Sequence, residues 1–110
     1  MLIERGAIYW VTFPQRDRKG VEIEKTRPCV IISATAVNSV RRSVIIVPLS
    51  TSAKAAPPLA IATPSAGEYS IAVCDQIQVI DKRRLGDKVG QLSSKDMRLI
   101  EQSLKMILSL

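Results

Sequence analysis

The sequence predicts a mainly β domain of the α+β class, with about six short antiparallel strands curled into a small barrel and one amphipathic C-terminal helix. Three observations support this fold. Short apolar segments recur along the first 80 residues, turn-forming residues separate them, and the hydrophobic period lengthens after residue 93. The 110 residues contain no repeat and no linker, so we expect residues 1–110 to form a single domain around one modest core.

The first expected strand covers residues 7–13 (AIYWVTF), which are rich in aromatic and β-branched side chains and end at Pro14. Residues 29–33 and 43–49 are almost continuously apolar, a pattern typical of strands that are buried on both faces. The remaining expected strands cover residues 59–62, 69–74 and 76–80.

Two connections between these strands are longer than tight turns. Residues 15–25 (QRDRKGVEIEK) are charged, contain Gly20 and exceed an ordinary hairpin loop. Loops of that length in compact domains often carry function. Residues 34–42 (ATAVNSVRR) can hold a helical turn between the two most apolar strands.

The C-terminal segment has the period of a helix. Its apolar residues recur at spacings of three and four, with polar residues between them. The apolar positions are Met97, Ile100, Leu104, Ile107 and Leu108. Ser93 and Asp96 form a capping box of the S-x-x-D type, which predicts that the helix begins directly after Ser93.

The composition excludes several classes of site. The chain has no histidine, and its two cysteines, Cys29 and Cys74, lie in apolar segments. We therefore expect reduced core thiols, a single disulfide being the alternative, with no zinc site and no cofactor. No targeting segment is evident, and the apolar stretch at residues 44–49 is too short to span a bilayer. A cytoplasmic location is expected.

The formal net charge is +6, from 16 basic and 10 acidic residues. The basic residues cluster between the expected strands, where they can converge on one face and attract phosphates. The candidate RNA-binding residues are Arg16, Arg18, Lys19, Lys25, Gln76 and Arg83. A solvated basic surface without a ligand, or a surface that binds an acidic protein, would fit the same charges.

Three short elements could carry chemistry. Arg27 directly precedes Pro28, which holds it extended, so its guanidinium can present a forked donor to a phosphate. Ser50 and Thr51 follow an apolar strand and can donate to an oxyanion. Asp75 lies between two apolar segments, and we expect its carboxylate to have a partner.

Each element also has a purely structural explanation. Arg27 can be a surface arginine without a role, and Ser50 and Thr51 can be ordinary turn formers. Asp75 can accept hydrogen bonds from backbone N–H groups at a bend.

In their order along the chain, these elements resemble the MazF/PemK family of toxin ribonucleases, and the PemK branch most closely. The matching segments are Arg5-Gly6-Ala7-Ile8-Tyr9-Trp10, Thr26-Arg27-Pro28-Cys29-Val30-Ile31, Val47-Pro48-Leu49-Ser50-Thr51 and Cys74-Asp75-Gln76-Ile77-Gln78-Val79-Ile80-Asp81. The resemblance covers essentially the whole chain.

The resemblance implies an SH3-like barrel of the CcdB/PemK type, a homodimer and an acidic antitoxin, with DNA contacted only through the antitoxin complex. It also implies metal-independent, sequence-selective cleavage of single-stranded mRNA by the substrate's own 2′-hydroxyl. By position, Arg27 matches the catalytic arginine, Glu22 the loop glutamate, Ser50 and Thr51 the hydroxyl pair, and Asp75 the aspartate of the family. Arg27 would stabilise the charged phosphate, and Glu22 or Asp75 would be the base if burial raises its pKa.

Several positions differ from the family pattern. Val73 replaces an arginine of the PemK branch, Val21 replaces a histidine, and Ser50 stands where threonine is usual. Three alternatives therefore stay open: a non-catalytic SH3-like module that binds RNA or protein, a degenerate toxin that still binds its antitoxin, and a CcdB-like toxin that acts on DNA gyrase. The last would need a C-terminal Trp-Gly-Ile, whereas this chain ends Leu108-Ser109-Leu110.

Overall fold

The computed structural model describes residues 2–110 and has one antiparallel sheet of seven strands with two helices. The strands are β1 (Ala7–Arg16), β2 (Glu22–Ile31), β3 (Ser43–Ser50), β4 (Ala60–Ala62), β5 (Ile71–Val73), β6 (Gln78–Asp81) and β7 (Leu85–Gln91). The helices are α1 (Thr35–Val40) and α2 (Ser94–Leu108). Short 3-10 turns cover Pro64–Ala66, Cys74–Gln76 and Lys82–Arg84.

Strand β3 organises the sheet because it pairs with three other strands. Its residues pair with β2 along one edge and with β6 and then β5 along the other. Five of its eight residues are buried, which agrees with the almost continuous apolar pattern of that segment. β4 extends the sheet beyond β5, and β1 and β7 extend it beyond β2.

The sheet must curl into a barrel because of one short connection. The strands β6-β3-β2-β1-β7 are neighbours in that order, so β6 and β7 are its two edges. The edges of a flat sheet of five strands would be about 19 Å apart. The turn Lys82–Arg84 joins these edges with three residues, each rising only about 2 Å. The predicted small barrel is confirmed.

Alternation along the strands divides the core into two clusters. Tyr9, Cys29, Ile31 and Ile46 belong to the cluster inside the barrel. Their neighbours Ile8, Val30 and Val47 point the other way and pack with α2 through Met97, Ile100 and Leu104. Because both faces of the central strands are covered, these strands have no polar face.

The C-terminal helix matches its prediction. The hydroxyl of Ser93 accepts a hydrogen bond from the Asp96 backbone N–H (3.1 Å), so Ser93 is the N-cap that fixes the start of α2. The reciprocal half of the predicted capping box is not formed, because the Ser93 backbone N–H donates to the Ser65 hydroxyl and the Asp96 carboxylate accepts from Ser65 instead. Met97, Ile100 and Leu104 are buried, whereas Leu108 is exposed near the end of the helix. None of residues 2–110 belongs to a helix long and apolar enough to cross a membrane.

The hairpin of β1 and β2 is longer than predicted, and the expected loop over residues 15–25 is wrong. β1 continues through Pro14 to Arg16, and β2 already begins at Glu22. β1 pairs with β7 only as far as Val11, so Pro14 lies where one edge of β1 is open. Proline is tolerated at such an edge because its missing N–H leaves no ladder bond unmade.

The tip of this hairpin is a short polar turn. The Asp17 carboxylate accepts hydrogen bonds from the backbone N–H groups of Lys19 and Val21, each at 2.9 Å. Gly20 adopts a positive φ of 78° there, a conformation that glycine reaches without steric cost.

The seventh strand, β7, was not predicted. Its sequence LGDKVGQ is polar and contains two glycines, and it pairs with β1 in an irregular register. The two cysteines are free and buried in different clusters, Cys29 inside the barrel and Cys74 against α2. The prediction of reduced core thiols is confirmed.

Candidate active site

The pairing of β2 and β3 brings Arg27 and Ser50 together. The ladder pairs Ile31 with Ile46 and ends at Cys29 and Pro48. Continued by two residues, the same register places Arg27 opposite Ser50. Two residues that lie 23 positions apart in the sequence therefore meet at the open end of the barrel.

Two surface cavities share Arg27 and Ser50. We call the first the Trp10 cavity; it has a volume of about 670 Å³ and is also lined by Trp10, Thr51, Tyr69 and Gly90. The second, the Phe13 cavity, has a volume of about 490 Å³ and is also lined by Phe13, Pro48, Val73 and Gln76. Arg27 and Ser50 thus stand between two recesses that lie on either side of them.

Arg27 is half-buried as a residue, and its guanidinium has no carboxylate within 4 Å in residues 2–110. Arg27 shares a strand face with the buried Cys29 but lies nearer the open end of the barrel. A cation that is partly desolvated and unpaired attracts an anion more strongly than a fully solvated one. The arrangement suits a phosphate.

The hydroxyl of Ser50 is already used by the fold. Ser50 Oγ accepts hydrogen bonds from the backbone N–H groups of Ser52 (3.2 Å) and Ala53 (3.1 Å), so this hydroxyl does form a turn. Ser50 Oγ also lies 3.2 Å from Ser52 Oγ, so its own hydrogen can be donated to that hydroxyl or to a ligand. Thr51 is exposed and lines the Trp10 cavity.

The two candidate bases lie in settings that differ from the prediction. Asp75 is exposed in the turn Cys74–Gln76, and its carboxylate has no hydrogen bond or ion pair within the described chain. The expectation that its carboxylate has a partner was wrong, because the turn Cys74–Gln76 leaves Asp75 exposed. Its neighbour Gln76 lines the Phe13 cavity.

Glu22 is exposed at the far end of β2. It lies five residues from Arg27 along an extended strand, a separation of about 16 Å. Within one chain, Glu22 therefore lies away from Arg27, and it lines neither cavity. Both carboxylates are exposed, so neither lies in the buried setting that was expected of the base.

The predicted RNA-binding residues fall into three places. Arg16, Arg18, Lys19 and Lys25 are exposed along the β1–β2 hairpin, and Gln76 is exposed beside the Phe13 cavity. Arg83 lies elsewhere, in the turn Lys82–Arg84, where its guanidinium donates to both oxygens of Asp81 at 3.1 and 3.2 Å. The structure does not bring Arg83 to either cavity.

Sequence reasoning missed two aromatic residues. Tyr9 belongs to the core, but Trp10 is 42% exposed and Tyr69 is 71% exposed, and both line the Trp10 cavity. Trp10 shares a strand face with the buried Ile8. Alternation along a strand places Trp10 on the face of Ile8, but no local signal in the sequence shows that the core ends before Trp10.

Residues 4–108 match the family model described as PemK-like, MazF-like toxin of type II toxin-antitoxin system. The chain belongs to the PemK/MazF toxin family. The match extends over nearly the whole chain, as the resemblance implied. Residues 2–110 contain no group of three or more His, Cys, Asp or Glu that could hold a metal ion.

Solved structures share the fold of this PemK/MazF family member. An endoribonuclease from a mycobacterial species is 26% identical, with a TM-score of 0.78 over 100% of this chain and 94% of that one. An endoribonuclease in complex with its cognate antitoxin, also mycobacterial, is 25% identical, with a TM-score of 0.77 over 98% and 96%. A MazE-MazF structure from Deinococcus radiodurans is 20% identical, with a TM-score of 0.82 over 100% and 98%, and shows the common fold alone.

Proposed function

We propose that this PemK/MazF family member is a sequence-selective endoribonuclease that cuts single-stranded mRNA without a metal. Family membership and the likeness to two endoribonucleases support this activity. The observation that carries the proposal is the half-buried, unpaired Arg27 beside Ser50, between two cavities at the open end of the barrel.

The proposed reaction uses a nucleophile that the substrate supplies. The ribose 2′-oxygen attacks the adjacent phosphorus, and the bond from phosphorus to the 5′-oxygen breaks. The 2′-hydroxyl loses its proton to a base, and the departing 5′-oxygen takes up a proton from the protonated base or from water. The products are a 2′,3′-cyclic phosphate and a free 5′-hydroxyl.

Arg27 acts on the phosphate in this scheme. Its fixed positive charge and forked N–H donors stabilise the negative charge that builds up on the non-bridging oxygens. The hydroxyls of Ser50 and Thr51 add donors at the end of β3. A guanidinium has a pKa above about 12 and is a poor base, so a carboxylate or water must accept the 2′-proton.

Asp75 is the better placed of the two candidate bases. The residue that follows it, Gln76, shares the Phe13 cavity with Arg27, whereas Glu22 is about 16 Å along the strand. An exposed carboxylate is a modest base at neutral pH, so the turnover is expected to be slow. Val73, which stands where the PemK branch has an arginine, also lines this cavity, and its apolar side chain cannot donate a proton or bind a phosphate.

The partners follow from the family and from charge. We infer a cytoplasmic homodimer that an acidic antitoxin neutralises and that contacts DNA only through the antitoxin complex. A neighbour solved in complex with its cognate antitoxin supports this inference. The net charge of +6 suits an acidic protein as well as RNA.

Substitution of Arg27 is the direct test. Arg27→Ala should lower the cleavage rate of a long single-stranded RNA in excess EDTA by about 10²–10³-fold, because a donor to the developing charge is lost. The fragments of the wild type should carry 5′-hydroxyls, as end mapping will show. Arg41→Ala, which removes an exposed arginine after α1 that lines neither cavity, should cleave like the wild type.

Two results would overturn the proposal. Cleavage by Arg27→Ala within a few fold of the wild type would remove its central residue. RNA that stays intact with a folded wild-type protein would favour the non-catalytic module instead.

A further inference from the structure

We propose that the Trp10 cavity binds one unpaired nucleobase of the RNA, stacked against the Trp10 and Tyr69 rings and recognised by Glu68 through an exocyclic amino group. This inference rests on the proposed function, since it assigns the base next to the phosphate that Arg27 holds. It names the residues that would give the cleavage its base preference.

The exposure of Trp10 is the first observation. Its strand neighbours Tyr9 and Val11 are 3% and 0% exposed, whereas the indole of Trp10 remains 42% exposed beside the cavity. A partly exposed ring that lines a pocket offers a flat apolar face that a ligand can cover. Flat aromatic faces stack on any unpaired base, and single-stranded RNA is bound in this way.

The second observation is a rigid segment that supplies two more side chains. Glu68 and Tyr69 line the same cavity and belong to residues 64–70. The base of this segment is closed by hydrogen bonds from Thr63 to Ser70, made by the backbone N–H at 2.9 Å and by Oγ at 3.1 Å. A ring presented by such a fixed segment loses little freedom when a ligand binds.

A buried carboxylate pins this segment to the helix. Asp96 is 2% exposed and accepts hydrogen bonds from the backbone N–H of Ser65 at 2.9 Å and from its hydroxyl. The Ser65 hydroxyl in turn accepts from the backbone N–H of Ser93 at 3.0 Å. The wall that carries Tyr69 is therefore held in place before any ligand arrives.

Continuity with Arg27 is the third observation. Arg27, Ser50 and Thr51 line the Trp10 cavity together with the aromatic residues, so one nucleotide can place its base in the cavity and its phosphate at Arg27. The volume of about 670 Å³ lies within the usual range of small-molecule sites. A cavity for phosphate alone would not need aromatic walls.

The carboxylate of Glu68 gives this cavity a chemical preference. Glu68 is exposed and forms no ion pair in residues 2–110. A carboxylate accepts hydrogen bonds, so it favours bases with an amino group, such as cytosine and adenine, over uracil, which presents a carbonyl at the same place.

The only tryptophan of the chain reports directly on this cavity. We would titrate the intact protein with 2′-deoxy oligonucleotides of eight residues, which lack the nucleophile and stay uncut. Oligo(dC) and oligo(dA) should quench the Trp10 fluorescence at lower concentration than oligo(dU). An abasic oligonucleotide with the same phosphates should quench it little, because it offers nothing to stack.

Variants separate the contribution of the Tyr69 ring from that of the Glu68 carboxylate. Tyr69→Ala should weaken binding of oligo(dC) by about 5- to 150-fold, the range for loss of one stacking ring. Glu68→Ala should make oligo(dC) and oligo(dU) bind alike. Val79→Ala, at a 64% exposed residue that lines neither cavity, should match the wild type.

Several results would overturn the inference. The first is that the abasic oligonucleotide quenches Trp10 as strongly as oligo(dC) does. The second is that the wild type binds oligo(dC) and oligo(dU) with equal affinity. The third is that Tyr69→Ala binds oligo(dC) as tightly as Val79→Ala does. Quenching by an acidic peptide alone would assign the cavity to a protein partner.

The cleavage assay distinguishes this inference from the proposed function. If the wild type cuts RNA and Tyr69→Ala cuts it with the same KM and base preference, the base site is wrong and the ribonuclease stands. If no RNA is cut but the quenching still depends on the base, the base site stands and the ribonuclease is wrong.

Discussion

Arg27 and Arg83 show how strongly the surroundings of a residue decide its use. Arg83 donates hydrogen bonds to Asp81, which lower the pKa of that carboxyl and keep both groups charged. Its charge is largely balanced by its own neighbour. Arg27 has no such partner in the described chain and is half-buried, so its charge is available to a substrate.

The two buried thiols give a prediction about the reactivity of single residues. Burial raises the pKa of Cys29 to about 12, against an opposing effect of the Arg27 charge, and burial raises the pKa of Cys74 to about 11. Only the thiolate reacts with a disulfide reagent. At pH 8 we therefore expect neither thiol of the folded protein to react, and both to react within seconds in urea.

The same thiols predict how stability depends on pH. The folded state favours the protonated thiol, so this contribution is fully present below the ordinary thiol pKa of 9.0 and is lost as the pH rises toward 11 and 12. The urea midpoint should fall between pH 8 and pH 10.5, and less so in Cys29→Ala. Fast modification of the native thiols at pH 8 would contradict both statements.

At the scale of elements, the start of α2 and the segment 64–70 form one unit. Asp96 lies in the first turn of α2, where a carboxylate is favoured by the helix dipole. It also binds Ser65, which lines the Trp10 cavity. The helix therefore supports the candidate site, although it contributes no residue to it directly.

Removal of this carboxylate should affect both stability and function. Asp96→Ala leaves the Ser65 N–H without its partner and should lower the free energy of unfolding by about 2–3 kcal/mol. Asp96→Asn keeps an acceptor for the Ser65 N–H, so its free energy of unfolding should fall by less. The control Asp87→Ala, at an exposed position of β7, should change the free energy of unfolding by less than about 0.5 kcal/mol.

Urea unfolding measures these differences in the free energy of unfolding. Oligonucleotide binding to the folded variants without urea shows whether the Trp10 cavity has changed. We expect Asp96→Ala to bind oligo(dC) more weakly while still folded. Equal unfolding of the alanine and asparagine variants would show that the hydrogen bonds to Ser65 contribute little.

The sequence predicts elements well where burial shapes the pattern. The apolar runs of β2 and β3 and the capped helix α2 were found because each carries a period set by the core. β7 was missed because five of its seven residues are exposed and its pairing comes from β1. The sequence of residues 15–25 predicts a loop where the structure has the β1–β2 hairpin, because the exposed strand ends there are charged on both faces.

Some residues of the candidate site are likewise predicted by the sequence and others are not. Short motifs predict Arg27, Ser50 and Thr51 as site residues, and the register of β2 and β3 explains why two of them lie opposite each other. The exposure of Trp10 and the role of residues 64–70 could not be found, since both depend on how the curled sheet meets the helix. That geometry is set by contacts distant in sequence.

At the scale of the whole molecule, the charge of +6 is unevenly placed. Arg18 and Lys19 project at the tip of the β1–β2 hairpin without a carboxylate within 4 Å in residues 2–110, whereas Arg83 is paired with Asp81. A phosphate chain that crosses the open end of the barrel can reach the hairpin. We expect the hairpin, and not the turn at Arg83, to contribute to the attraction of RNA.

The salt dependence of binding tests this distribution. Each phosphate contact with a single strand adds about 0.7 to the slope of log affinity against log salt, because a counterion is released. The double variant Arg18→Gln, Lys19→Gln should therefore reduce this slope by about 1.4 in titrations with oligo(dC), whereas Arg83→Gln should leave it almost unchanged. If Arg83→Gln reduces the slope as much as one hairpin charge does, its pairing with Asp81 must break when RNA binds, and the RNA path must extend around the barrel to that turn.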